Sequence, residues 1–139
     1  GKNSESVPDF AVKEPGMSIS MEQMEEVLES FNDHNVERIV SHFEEEGEFL
    51  MAAGPEPHGE RFVGREAIGE VLRQRFAVVP DICWVGAKTW VCGDSAVTEW
   101  RVQGTTAHGR LDCLGCDLWQ FRDRKILKKD TCYKQMILS

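Results

Sequence analysis

Apolar positions recur at helical spacing in the first half of the chain and alternate in the second. Met21, Met24, Val27, Leu28 and Phe31 fall three and four residues apart, the stripe of one helix face. Ser20 precedes them and Gln23 follows three residues later, the spacing at which side chain and backbone satisfy each other's free N–H groups. This pattern predicts a first helix over residues 20–33. After a break at Asp33 to Asn35, Val36, Ile39, Val40 and Phe43 mark a second helix from 36 to about 44. Glu44, Glu45 and Glu46 end it, and Gly47 opens a strand that runs through Met51. The segment AAGPEPHGERFVG places Gly and Pro where no element continues, so it reads as turn material. A third helix, 65 to 76, turns Ala67, Ile68, Val71, Leu72 and Phe76 inward before Pro80 and Asp81 stop it.

From residue 82 the period changes to two. Strands are expected over 82–91, 96–106, 111–122 and 125–134, separated by CGDS, AHGR and a tight turn at Asp123–Arg124. Helices first and a strand meander last predict an α+β fold, with three N-terminal helices on one face of a curved antiparallel sheet. Residues 1–17 hold Ser, Glu, two Pro and two Gly without periodicity and read as a loose arm before a single domain over 18–139.

Residues 115–134, GCDLWQFRDRKILKKDTCYK, carry most of the chemistry. Successive strand side chains point to opposite faces, so Asp117 shares a face with Trp119 and Phe121. Pairing the last two strands through a two-residue turn sets Asp117 opposite Asp130 and Trp119 opposite Lys128. Pairing the preceding hairpin around 107–110 sets Trp100 opposite Asp117. A carboxyl among aromatic rings with a second carboxylate nearby is pushed toward the neutral form, which suits acid/base work near neutral pH. Lys128 is the competing influence, since an ammonium beside either acid favours the carboxylate. Asp117 and Asp130 are therefore the candidate catalytic pair, with a structural ion pair as the alternative.

The other face of the same strand is apolar too, through Leu114, Cys116 and Leu118. A sheet with one wet face alternates cleanly. The expectation is a homodimer in which a second copy covers this outer face, the acidic N-terminal arm being the other way to cover it. Glu99, Arg101 and Gln103 share a face of their strand, with Lys88 opposite Glu99. They form either a cross-strand charge ladder or, in the opposite strand phase, a polar pocket lining.

Composition narrows the function. The chain has 139 residues and a formal net charge of −8. Residues 1–70 hold five Lys and Arg against seventeen Asp and Glu, and the remainder eleven against seven. The basic residues of the second half are scattered over strands and turns, so nucleic acid is not an expected partner. No apolar run approaches the roughly 20 residues of a membrane helix, and none is expected. The chain opens on Gly1 rather than Met, consistent with removal of an upstream segment, and no secretory signal is visible. Five cysteines, an odd number without a framework spacing, fit structural thiols in a reducing cytoplasmic setting. His34, His58 and His108 fall in breaks and turns, where a solvated ring is expected, and His42 alone on a helix reads as structural. No metal motif, nucleophile elbow or phosphate-binding glycine loop occurs, so neither metal nor cofactor is expected.

The order helix, break, NVERIVSHFEEEGEFLM, loop, GREAIGEVLRQRF and then strands ending in GCDLWQFRDRKILKKDTCYK resembles the nuclear-transport-factor-2-like superfamily with its cystatin-like fold, and within it the SnoaL-like and ketosteroid-isomerase-like branch. The resemblance covers about residues 18 to 135 and is strongest in the final hairpin, where Arg124 replaces a turn glycine. It implies a cone-shaped sheet, a homodimer, and a pocket between helices and concave sheet lined by Phe31, Met51, Trp100, Val102, Trp119 and Phe121. The implied ligand is a small apolar or amphipathic molecule, and the implied activity a cofactor-independent isomerase, cyclase or lyase acting on a carbonyl compound. A ligand-binding or scaffold domain is the alternative. Asp117 falls where the isomerases and SnoaL-type cyclases carry a functional Asp. The chain departs from the isomerases at Met51 and Val27, where their general-base Asp and helix Tyr would fall. The epoxide hydrolases' Arg-x-Asp pair would correspond to Arg101-Val102-Gln103, with Gln in place of the acid.

Overall fold

The computed structural model describes residues 18–137; the arm expected over 1–17 lies outside the described residues. Helix α1 spans Met21–Asn32 and α2 Val36–Ser41, followed by strands β1 (Phe43–Leu50) and β2 (Arg61–Val63). Helix α3 covers Arg65–Val78, and β3 (Cys83–Cys92), β4 (Ser95–Thr106), β5 (Gly109–Arg122) and β6 (Lys125–Tyr133) complete the chain. The six strands form one open, curved sheet in the order β2-β1-β6-β5-β4-β3. All neighbours are antiparallel except β1 and β6, which run parallel.

The capping box at Ser20 is formed: Gln23 N–H donates to Ser20 Oγ, and Ser20 N–H donates to the Gln23 side chain. Met24, Val27 and Phe31 of α1, Ile39 of α2, and Ile68 and Leu72 of α3 face the sheet. There they pack on Phe43, Phe49, Ala96, Trp119, Phe121 and Ile126. Three polar ties hold the helices over the strands. Arg65 donates twice to the Phe43 carbonyl, at 2.9 and 2.7 Å, joining α3 to β1. Asn32 both accepts from Trp84 N–H (2.8 Å) and donates to its carbonyl (2.9 Å), fixing the end of α1 over β3. His34 Nε2 lies 2.6 Å from the Ile82 carbonyl and its ring stacks on Phe76 at 4.1 Å. That half-buried ring corrects the expectation of a solvated His34.

Two boundaries also differ from the sequence reading. The second helix ends at Ser41, and Glu44, Glu45 and Glu46 belong to β1, because Phe43 already pairs with Ile126. Residues 61–63, expected to be turn, form the short edge strand β2 against β1. The final turn is as expected in place, with Asp123 and Arg124 both left-handed (φ 51° and 68°), the geometry that matches strand twist in a two-residue hairpin.

Candidate functional site

The inner face of the sheet is set by β4, β5 and β6. On β4 the buried positions are Ala96, Thr98, Trp100, Val102 and Gly104, while Glu99 and Arg101 are exposed. The strand phase therefore places Trp100 and Val102 inward and the Glu99, Arg101, Gln103 series outward. That outer series forms a charge ladder: Lys88 pairs opposite Glu99, and Arg101 makes a two-pronged bond to Asp112 at 2.6 and 2.8 Å. The Arg101 guanidinium holds the Asp112 carboxyl below its ordinary range.

Asp117 lies on the inner face of β5 and is 3% exposed. Its Oδ2 accepts from the Trp100 indole N–H at 2.8 Å, and its Oδ1 accepts from the Thr131 hydroxyl at 2.7 Å. Lys129 Nζ lies 3.0 Å from the same Oδ1 and also donates to Thr131 Oγ1 at 2.7 Å. Lys129 is itself 5% exposed. Its ammonium sits over three rings, 4.5 Å from the centre of Phe49, 5.1 Å from Phe31 and 5.6 Å from Trp119. Ring faces carry negative charge and attract the cation, and this matters more where water is excluded. A buried carboxylate, a buried ammonium and a hydroxyl thus form a closed network walled by aromatics.

The expected register is corrected here. An unbroken β6 would carry Ile126, Lys128 and Asp130 to the inner face. Instead Phe121 pairs with Ile126 but Gln120 with Lys128, so β6 carries one extra residue. Such a bulge inverts the phase of everything beyond it. Lys129 and Thr131 turn inward, and Asp130 pairs with Leu118 on the other face. Asp130 is thus no partner of Asp117; Thr131 stands opposite it, and the nearby charge is an ammonium rather than a second carboxylate. Lys129 and Thr131 were missed by the sequence reading. The doublets Ile126-Leu127 and Lys128-Lys129 were the available signal, since a period-two strand does not repeat a class twice running.

Trp100 stands opposite Gly115 rather than Asp117, a shift of two that keeps its face. The glycine is required there. A Cβ on Gly115 would lie 2.7 Å from a Trp100 ring carbon, 2.6 Å from the Cys132 carbonyl oxygen and 2.5 Å from Tyr133 Cβ. The bare backbone lets the indole lie across β5 and reach Asp117.

Two small cavities adjoin the network. One, of about 20 Å³, is lined by Phe31, Trp84, Trp100, Asp117, Trp119 and Lys129, among others. The second, about 50 Å³, meets Met51, Arg75, Trp100, Val102, Lys129 and Thr131. At about 10–15 Å³ per water they hold roughly one and a few waters. Phe121 does not line either; it stacks on Trp119 at 6.1 Å within the core. A much larger depression of about 610 Å³ lies along Val85, Arg101, Leu114, Cys116 and Cys132. It is open and follows the outer face, away from the Asp117 carboxylate, so it is not assigned the chemistry.

The SnoaL-like domain family matches residues 24–128, three quarters of the chain, from α1 to the first residues of β6. The chain belongs to that family. Solved structures agree on the fold. This SnoaL-like domain superposes on a protein of unknown function with a cystatin-like fold from Xanthomonas campestris with a TM-score of 0.74. They share 14% identity over 84% of this chain and 92% of that one. A Pseudomonas putida protein provisionally named a polyketide cyclase gives 0.73 at 15% identity, over 84% and 92%. A protein with a ketosteroid isomerase-like fold from Catenulispora acidiphila, in complex with trimethylamine, gives 0.72 at 17%, over 83% and 87%. At these identities the likeness carries the fold alone. Comparison with curated proteins finds no match. Among the described residues no three metal-ligating side chains converge, and no helix is long and apolar enough to cross a membrane.

Proposed function

We propose that this SnoaL-like domain is a small-molecule pocket protein that moves a proton on a small carbonyl compound without a cofactor. Asp117 is the acid/base of an isomerase-, cyclase- or lyase-type reaction. One observation carries this reading: a carboxylate sealed from solvent and held by three donors borders an inner cavity of about 20 Å³, while its partners Lys129 and Thr131 line the second one of about 50 Å³. A carboxylate at such a wall can take a proton from the carbon beside a carbonyl. The adjoining Lys129 ammonium and Thr131 hydroxyl can stabilise the oxyanion that forms, because fixed donors in a dry site cost no reorganisation. The provisional cyclase name of the Pseudomonas neighbour and the trimethylamine complex of the Catenulispora neighbour are compatible with this reading.

The test is deuterium exchange. A panel of small enolisable ketones and aldehydes in D₂O should exchange their α-protons faster with protein than without, as followed by NMR. Asp117→Asn should return exchange to the buffer rate. Exchange equal to buffer across the panel for the wild-type protein would refute the activity and leave a ligand-binding or scaffold role.

The outer face supports a second element of the proposal, a homodimer through the sheet. Leu114, Leu118 and Val85 are 59%, 43% and 41% exposed there, beside Cys116 and Cys132. Exposed aliphatic side chains grouped on one sheet face favour association. A monomer at all concentrations in sedimentation would reject it. The five free thiols also suit a reducing, cytoplasmic location.

A further inference from the structure

The larger of the two inner cavities carries a charge that the proton-transfer reading leaves unused. Its lining includes two cations, Lys129 and Arg75, and no carboxylate. Lys129 is matched by Asp117 at 3.0 Å. Arg75, half-buried on α3, has no acidic partner among the described residues. Apart from the Thr131 hydroxyl, the other walls are Phe31, Phe49, Met51, Val71, Leu72 and neighbouring apolar or aromatic side chains. An apolar cavity with one uncompensated guanidinium favours an anion, and a guanidinium's paired donors match a carboxylate.

Lys129 has the surroundings of a reactive amine. Asp117 Oδ1, 3.0 Å from its Nζ, and Thr131 Oγ1, 2.7 Å away, can take up and return its proton. Resting on the pocket reading above, we infer that the cavity accepts a small oxo-carboxylic acid, whose carboxylate meets Arg75 and whose carbonyl forms an imine with Lys129. The step balances without any redox partner. The Lys129 ammonium passes one proton to Asp117, directly or through Thr131, and the free amine attacks the carbonyl carbon to give a carbinolamine. Asp117 returns that proton as the carbon–oxygen bond breaks. The former carbonyl oxygen leaves as water with two of the three original ammonium protons, and the third stays on the iminium nitrogen. Asp117 ends as the carboxylate it began as, now facing the iminium. The roughly 50 Å³ available restricts the acid to a handful of heavy atoms.

Glyoxylate is the probe, with propanal as its uncharged counterpart. The protein is incubated with each in the presence of cyanoborohydride, which reduces an imine to a stable amine, and adducts are located by peptide mass spectrometry. Lys128, its sequence neighbour and more exposed, is the internal reference. The expected result is an adduct on Lys129 in preference to Lys128 with glyoxylate. Arg75→Met should weaken that labelling about tenfold or more without changing the slow labelling by propanal. This variant leaves the buried pair intact, so the result does not depend on a Lys129 variant folding. Labelling of Lys128 and the other exposed lysines with Lys129 unmodified overturns the imine. Labelling of Lys129 that ignores both the carboxylate and Arg75→Met overturns the oxo-acid assignment. The Trp100 and Trp119 indole N–H resonances separate this failure from failure of the pocket itself. If they shift with glyoxylate but Lys129 gives no adduct, the cavity is occupied and only the imine falls. If they do not shift and no adduct forms, both readings fall.

Discussion

Breaking the Asp117–Lys129 pair from one side measures how dry the site is. Both residues are almost fully buried, at 3% and 5% exposure, with their charged atoms 3.0 Å apart. Lys129→Met fills nearly the same volume but leaves a buried carboxylate with two neutral donors and no counter-ion. Removing one partner of such a pair costs about 3–5 kcal/mol, because the remaining charge has lost water and gained nothing in return. For a chain of this length the melting point should fall by roughly 10–20 °C. Asp117→Asn strands the opposite charge but is milder. The amide can still accept from Trp100 and donate to Thr131, and three ring faces hold the ammonium, so a cost of about 2–4 kcal/mol is expected. The double variant removes both charges and keeps the hydrogen-bonding shape, so it should lie within about 2 kcal/mol of wild type, since replacing a whole buried pair is often near neutral. Urea denaturation of the four proteins gives a coupling energy, expected at about 3 kcal/mol or more. Single variants that each lose under about 1 kcal/mol, with an additive double, would refute the reasoning. The pair would then be a solvated ion pair, and a proton held out of water could not be its function.

Other outcomes test the parts around it. Gly115→Ala should cost about 1–3 kcal/mol, because its Cβ meets Tyr133, the Cys132 carbonyl and the Trp100 ring at 2.5–2.7 Å. The same change should move the Trp100 indole N–H resonance as its bond to Asp117 is lost, and an unmoved resonance would rule out the tight contact. Burial holds the His42 imidazole below its ordinary value of 6.5, so the unfolded chain binds that proton more readily than the folded one. His42 therefore contributes no penalty above about 6.5 and a growing one as pH falls through that value. His42→Gln should flatten the decline in urea midpoint between about pH 5 and 7. Leu114→Glu, on the exposed outer face, should shift sedimentation toward monomer while changing monomer stability by no more than about 0.5 kcal/mol.

The local rules written into the chain settled much of this molecule. The stripe Met24, Val27, Phe31 behind the Ser20 cap could only be a helix with one buried face, and it is one. The alternation through Asp117, Trp119 and Phe121 determined that an acid would enter an apolar face, and the order of helices before strands determined the α+β class. What surrounds Asp117 was not determined that way. The sequence reading paired it with Asp130 and set Trp119 opposite Lys128, because a strand read alone has a fixed period of two. One extra residue on β6 inverts that period, and only the pairing of β6 between β1 and β5 decides where the extra residue goes. With the bulge in place a second carboxylate becomes a buried ammonium, and the chemistry of the site changes sign. Arg75 entered the same cavity from a helix some forty residues before Asp117, a meeting that depends on how α3 lies over the sheet rather than on any spacing. Period and capping are properties of neighbouring residues, so they are legible in order along the chain. Register across a sheet is a property of residues brought together by folding, so the tertiary structure alone decided which charges share the site.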